Sequence, residues 1–491
     1  MSNELISSLH HIVVTPEFIL LLAGIIVLIV DAFDGDRRPW LAPCLSLIAF
    51  LLAALLMIGF PESHGRIFFQ AYTHDTLADI MNVLFLASGV MTVLSGWNYI
   101  SRWAGESGTF YGLVVLAVMG MMLMVSASEL LTLFVAVETT TIALYILSGY
   151  FKREKWSAEA GIKFVILGTV FSVILLFGMV LVYGATGTTV FTEMVSGAAK
   201  SPFPGSQIVF FGGMILILAG LIFKITAVPF HFWAPDAYTG APTPVTAFLS
   251  VASKASGFGV LIRLFYGSFN EVPGLQSFLI VLLVALAGAT MIVGNLMAIP
   301  QKNIKRLLAY SSIAQAGYMM IGLSAFSEIG MSSILFYLAQ YVFATFGIFV
   351  VCIIVYNHDQ SDDLTAYEGL SKRSPFVALV LLVCLLSLAG IPPLAGFIGK
   401  VYLFTAGLDK GHYLLVTIGI LTSVVSVYYY LLILKRAYIE KGHRQDVLTV
   451  PHAERLALWI AMAGVILLGL LPGLVVDRVQ MTGEFILGLI K

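Results

Sequence analysis

Residues 207–254 read QIVFFGGMILILAGLIFKITAVPFHFWAPDAYTGAPTPVTAFLSVASK. An apolar run carries Lys224 near its end, breaks over Pro229, Pro235, Pro242 and Pro244, and is followed by a second apolar run carrying Lys254. A helix needs about 20 apolar residues to cross roughly 30 Å of hydrocarbon. Proline removes a helix hydrogen bond and clashes with the preceding turn. At membrane depth the freed backbone groups are tolerated only where protein or water satisfies them. Interrupted helices of this kind mark ion sites in transporters. The plainer alternative is a loop between two spans. It suits Pro235–Pro244 better than Pro229, which follows the apolar run by no more than a turn.

The rest of the chain has the same character. Of its 491 residues 59% are hydrophobic and 11% charged, against about 25% charged in a soluble protein. The mean hydropathy is +0.98. Fourteen segments are long enough to span: 17–34, 40–60, 76–100, 110–126, 128–150, 162–184, 207–229, 242–266, 276–299, 304–323, 329–356, 374–407, 412–438 and 454–476. The fourth and fifth are close enough to form a tight helical hairpin. The reading is an all-α integral membrane protein with about 14 transmembrane helices. Loops after odd-numbered spans hold 17 lysines and arginines and the opposite side 6, a bias that places both termini on the periplasmic face of a bacterial inner membrane. Met1 to Pro16 lacks the basic start and cleavage site of a signal peptide, so the first apolar run reads as a retained span. No basic patch outside the short loops suits a nucleic acid.

Three basic residues remain, Lys224, Lys254 and Lys400, each several residues inside a span. Among the acidic residues only Glu138 is similarly central; Glu17, Asp31 and Glu129 sit near span ends and are expected to reach water. A charge at the bilayer centre costs about 2.5–3.5 kcal/mol on insertion scales, so such residues line protein or water and mark ion or proton pathways. A structural Glu138–Lys224 salt bridge is the bland alternative, but one carboxylate cannot neutralise three ammonium groups. Burial disfavours the charged form of an amine, so a buried lysine can load and release a proton near neutral pH. Arginine stays protonated. Three lysines and no arginine therefore favour proton transfer over anchoring.

A second interruption is Gly390-Ile-Pro392-Pro393-Leu-Ala-Gly396-Phe-Ile-Gly399-Lys400. It lies in a segment longer than one straight span requires, again beside a lysine. Grouping spans four to eight and nine to thirteen makes the broken helix the fourth member of each group. Five-span groups must be inverted relative to each other, and inverted repeats hold ion sites near the midplane. The division is then 1–106 (three N-terminal helices), 107–270 and 271–440 (two half-channel repeats), and 441–491 (the last helix). The second group has no counterpart of Glu138 at mid-span; its closest candidate is Lys305, at a helix start. His231, inside the first break, titrates in the range that suits a proton relay. Ser311-Ser-Ile-Ala-Gln315 either hydrates a span or packs helices, and packing is the better reading. Cys44, Cys352 and Cys384 are scattered in apolar stretches and offer no clustered thiolates for a metal or iron–sulfur centre. No dinucleotide fingerprint follows a strand pattern.

The stretch from Phe223-Lys224 through His231-Phe-Trp-Ala-Pro-Asp-Ala-Tyr to Lys254 resembles the antiporter-like membrane subunits of respiratory NADH–quinone oxidoreductase (complex I). So do Glu138 in Val-Glu-Thr-Thr-Thr, Lys305-Arg306-Leu-Leu-Ala-Tyr-Ser-Ser, and Pro392-Pro393 with Gly399-Lys400. The resemblance covers essentially the whole chain. Lys400 matches branches N and L rather than M, and the chain ends soon after the fourteenth span, without the long lateral helix of L; both features select N. The resemblance implies a proton-translocating subunit without a redox centre of its own, with NADH, FMN, iron–sulfur clusters and quinone held by other subunits. It implies subunits M and K as neighbours in the bilayer. It also implies that Glu138 pairs with Lys224, that Lys224 is the central carrier of the inner half-channel, that Lys254 passes the proton laterally and that Lys400 delivers it outward. The rival reading is a subunit of a multisubunit sodium/proton antiporter or another donor-coupled relative. A non-conducting scaffold is a further one, and the costly lysines argue against it.

Overall fold

The computed structural model describes residues 15–34, 37–59, 65–67, 70–103, 107–200, 205–267, 273–442, 446–473 and 475–479. The readings of residues 1–14 and of the chain beyond 479 lie outside the described residues, so neither terminus is placed by it.

Helices dominate. In chain order they are α1 (Pro16–Asp34), α2 (Leu41–Gly59), α3 (Thr76–Trp103), α4 (Gly108–Ser126), α5 (Leu130–Ser148), α6 (Lys155–Thr186), α7 (Met194–Lys200), α8 (Ser206–Lys224), α9 (Ala234–Gly240) and α10 (Thr243–Phe248). They continue with α11 (Lys254–Gly267), α12 (Pro273–Ala298), α13 (Ile304–Ser324), α14 (Glu328–Asp359), α15 (Leu370–Arg373), α16 (Pro375–Ala389), α17 (Ala395–Asp409), α18 (Tyr413–Tyr438) and α19 (His452–Leu470). A π-helical turn, Leu249–Ser253, joins α10 to α11 without a break. A small antiparallel hairpin, β1 (Gly65–Ile67) with β2 (Tyr72–His74), lies between α2 and α3.

Each predicted span overlaps a helix among the described residues. Among the described residues twelve helices are long and apolar enough to cross a membrane. Two of the fourteen predicted segments fall outside that set for physical reasons. Segment 374–407 is split into α16 and α17. Helix α13 is too polar, and it can be, because every residue except Arg306 is buried in protein rather than facing lipid. The α10–α11 span and α14 share that interior position. Helix α14 packs against α3, α13, α16, α17 and α19. Lipid-length helices such as α6, α8, α12 and α18 lie outside, with exposed apolar residues like Ile166, Ile208, Val281 and Leu421.

Two stretches of the chain share a local plan. Glu129 caps α5 by accepting from Thr132 N, and its backbone bridges Val190 beyond α6. Asn303 caps α13 by accepting from Arg306 N, and its backbone bridges Asp363 beyond α14. Helices α6 and α14 each have 32 residues and each ends on a left-handed residue, Gly187 (φ 72°) and Gln360 (φ 51°).

One sequence expectation needs correction. Glu17 does not reach water: it is buried, Tyr72 donates to its Oε1 at 2.9 Å, and its Oε2 has no partner. Glu454, in the first turn of α19, is fully buried and accepts from Asn98 Nδ2 at 2.8 Å. Arg263 lies inside α11 and grips Asp75 with two bonds of 2.9 Å.

Burial alone would raise the Asp75 carboxyl, but the Arg263 guanidinium and the Ala78 amide outweigh it and hold it below the usual carboxylate range. Its contribution to stability is therefore present above the ordinary carboxylate pKa, about 3.9, and is lost as pH falls through the depressed folded value. Asp75→Asn leaves a buried guanidinium unpaired, and removing one partner of such a pair costs about 3 kcal/mol or more. Thermal unfolding in detergent at pH 7 reads that loss. The gap to the native chain should close as the buffer is taken below about pH 4.

Candidate functional site

Helix α8 ends on Lys224 itself, where the proline-containing segment takes over. The backbone groups released there find protein partners, as membrane depth demands. Trp233 Nε1 donates to the Phe223 carbonyl at 3.3 Å, and Thr290 Oγ1 on α12 accepts from Val228 N at 3.0 Å. Thr226 holds a positive φ of 59°, uncommon for a β-branched residue. The chain then re-forms helix as α9, whose Ala234, Pro235, Ala237 and Tyr238 are buried. The stretch is thus turns over 225–233 and helix over Ala234–Gly240, packed into the protein.

The Lys224 ammonium is buried and donates to Thr141 Oγ1 on α5 at 3.4 Å. It borders a cavity of about 30 Å³ whose polar lining also includes Tyr145, Ser172 and Ser253. That is room for about two waters. Gly168 on α6 makes the space, since a Cβ there would collide with the Tyr145 hydroxyl. Ser253, the residue before Lys254, is part of this lining.

Glu138 lies on α5 with one carboxylate oxygen buried and unpartnered. Among the described residues it makes no ion pair with Lys224, although the two charges are close enough to interact. The direct pairing implied by the resemblance is absent from this conformation. His231 is half-buried in the break with its Nδ1 unpartnered, and among the described residues no hydrogen bond ties it to a lysine.

Lys254 is completely buried where the π-helical turn gives way to α11. It donates to the Ser312 carbonyl at 2.6 Å and to the Ser312 hydroxyl on α13. One helical turn before it, Ser250 shares a 3.0 Å hydrogen bond with Tyr341 on α14. Tyr337, one turn from Tyr341 on the same face, donates to Gln315 Oε1. Gln315 Nε2 donates to the Tyr430 hydroxyl at 3.1 Å and to the Leu388 carbonyl at 3.5 Å, and Tyr430 bonds Ser311.

The next carbonyl, Ala389, accepts from Lys400 Nζ at 3.1 Å. The ammonium thus sits at the C-terminal end of half-helix α16, where unpaired carbonyls carry partial negative charge. Ser423 Oγ accepts from it at 2.8 Å, and the Tyr318 ring lies 4.9 Å away, within cation–π range. Gly390 is needed beside it: its φ is +84°, and a Cβ would come within 2.9 Å of the Lys400 chain. Beyond lie Thr422, Tyr318, Asn295 and Tyr429, joined by bonds of 3.0–3.3 Å.

The run 311–315 is therefore more than packing. Its polar side chains link the neighbourhood of Lys254 to that of Lys400. Lys305 does not occupy the position that corresponds to Glu138. It sits two residues past the α13 cap, donates to the Ala241 carbonyl at 2.9 Å and pairs with Asp362 at 3.6 Å. Counted from the caps, Glu138 is nine residues beyond Glu129, and nine beyond Asn303 is Ser312, the residue that holds Lys254. Aligning caps rather than charges finds it. The break is further fastened by Asp236, which accepts from Lys163 on α6 at 2.8 Å and Arg306 on α13 at 3.0 Å.

Comparison with known proteins agrees with this architecture. Residues 127–426 match the family described as NADH:quinone oxidoreductase/Mrp antiporter, transmembrane. NADH-quinone oxidoreductase subunit N of Moorella thermoacetica is 42% identical over 467 residues, covering 95% of this chain and 96% of its own. A chain of respiratory complex I from Thermus thermophilus with bound aureothin superposes with a TM-score of 0.79 at 32% identity, over 94% of this chain and 99% of that one. A chain of the Mrp complex from Dietzia sp. DQ12-45-1b has a TM-score of 0.83 at 20% identity over 96% of this chain and 97% of that one, a likeness of fold alone. With the family match spanning most of the chain and the relatives matching nearly end to end, the chain belongs to the subunit N family of NADH–quinone oxidoreductase.

Proposed function

We infer that this chain is the proton-translocating membrane-arm subunit of an NADH–quinone oxidoreductase, moving protons through Glu138, Lys224, Lys254 and Lys400. The observation that carries this reading is the buried polar seam along α13, from Ser312, which holds Lys254, to the Leu388 carbonyl, one residue before the carbonyl that holds Lys400. A purely structural interior has no need of a fully desolvated ammonium. Lys224 takes up the proton from the inner side, with His231 as relay at the break. The water-sized cavity carries it toward Lys254, the α13 seam carries it on, and Lys400 releases it outward. Each lysine that gives up its proton becomes a neutral amine and the next becomes an ammonium, so charge is conserved along the line.

The twin caps, twin backbone bridges and equal lengths of α6 and α14 support two inverted five-helix repeats, 107–270 and 271–440. The lysine and arginine bias supports both termini facing the periplasm. Subunits M and K are the neighbours in the arm, and NADH, FMN, iron–sulfur clusters and quinone belong to other subunits.

Purifying the tagged chain from its own membranes tests the assignment. The expected companion is an NADH–quinone reductase containing FMN and iron–sulfur clusters, with NADH-driven proton uptake once reconstituted. Companions without redox centres, in vesicles that exchange sodium for protons, would instead select the antiporter reading.

A further inference from the structure

The seam between the second and third lysines changes chemistry at one residue. Ser311, Ser312, Tyr337 and Tyr430 carry O–H groups, which accept one proton while releasing another. Gln315 carries a carboxamide, whose nitrogen only donates and whose oxygen only accepts. It cannot hand a proton on as a hydroxyl or a water does. It is also fully buried and held on three sides, by Tyr337, Tyr430 and the Leu388 carbonyl. The carbonyl can only accept, so the amide nitrogen must face it and the oxygen must face Tyr337. That leaves the Tyr430 proton for Ser311. On one side of Gln315 stand Ser311 and Ser312 with Lys254; on the other stand the end of α16 and Lys400.

We propose that Gln315 is the gate of the lateral path. With its three bonds made, the amide separates Lys254 from Lys400. When it rotates away, water enters its place and joins them. The proton leaving Lys254 crosses on that water, Lys254 is left neutral, and Lys400 becomes the ammonium. A line wired at all times would let protons run back down the membrane potential, so a pump needs an insulating element between its carriers. A locked amide flanked by hydroxyls is such an element, because a modest rotation converts it from barrier to opening. This inference rests on the reading that the chain moves protons between these two lysines.

The test uses the intact complex in liposomes, with two readouts: passive proton flux under an imposed pH gradient without NADH, and protons moved per electron with NADH. Gln315→Ala removes the amide and leaves room for water. It should raise the passive flux about tenfold or more and lower the ratio. Gln315→Leu fills the space without a polar group. It should keep the vesicles as tight as native while lowering the ratio. Native tightness and ratio in the alanine variant, or a native ratio in the leucine variant, would overturn the gate. Should the alanine variant fail to assemble, the leucine variant decides alone. Lys400→Met measured in parallel separates the two ideas. Normal pumping there removes the proton role of the chain, whereas lost pumping there with native Gln315 variants removes only the gate.

Discussion

Lys400→Met should stop proton translocation through this subunit while leaving the complex assembled. The methionine thioether is unbranched and close in length, so it fills the site with little repacking. What disappears is the ability to hold a proton beside the Ala389 carbonyl and Ser423. Moving one charge against 100 mV needs about 2.3 kcal/mol, roughly a fifty-fold equilibrium factor. A site that cannot ionise supplies none of that. The expected reading in liposomes is at least a tenfold loss of the share of proton flux carried by this chain, seen as a lower ratio of protons to electrons. Arginine at the same position should be no better, because it takes a proton and does not return it. Assembly with a native ratio in Lys400→Met would show that the ammonium serves only to cap α16.

Glu138→Gln should have the next largest effect, and for a different reason. The carboxylate does not touch Lys224 in this conformation, and one of its buried oxygens has no partner. Lys224 is instead held by Thr141, one turn further along α5. An arrangement like this is open to change: a small shift of α5 against α8 would bring carboxylate and ammonium together or apart. Two unit charges a few ångströms beyond contact interact by roughly 2–3 kcal/mol at an effective dielectric near 20. That is about the work of moving one proton against 100 mV. Glutamine keeps the shape and removes the charge, so it should uncouple Lys224 from any such movement. Both quinone reduction and proton movement should fall several-fold, with assembly intact on native gels. If both rates stayed native in the assembled complex, the electrostatic coupling would be wrong.

Much of the fold was legible because bilayer length is a strict rule. Each predicted segment found its helix, and the breaks at Pro229 and Pro392-Pro393 lie where proline chemistry demands them. The central lysines were legible because an unexplained charge in an apolar run stands out. The linking residues were not. Ser311, Ser312, Gln315, Tyr337 and Tyr430 are uncharged, and such residues are common in packed membrane helices. Only their mutual placement, from the consecutive helices α13 and α14 and the distant α18, makes them a path. Polarity misled in the other direction at Lys305, whose charge drew attention although it serves Ala241 and Asp362 near a helix start. Distance from a span end was a poor guide to burial for Glu17, because a neighbouring hairpin can cover a helix end as fully as its middle.

The claim beneath all of this is that Lys254, wholly buried and bonded only to Ser312 among the described residues, passes protons between the halves of the molecule. The most direct measurement is the number of protons moved per electron by the intact complex in liposomes after Lys254→Met. A clearly lower ratio, with vesicles as proton-tight as native, is the predicted result. A native ratio would contradict the account, because it would leave Lys224 and Lys400 working without the link between them.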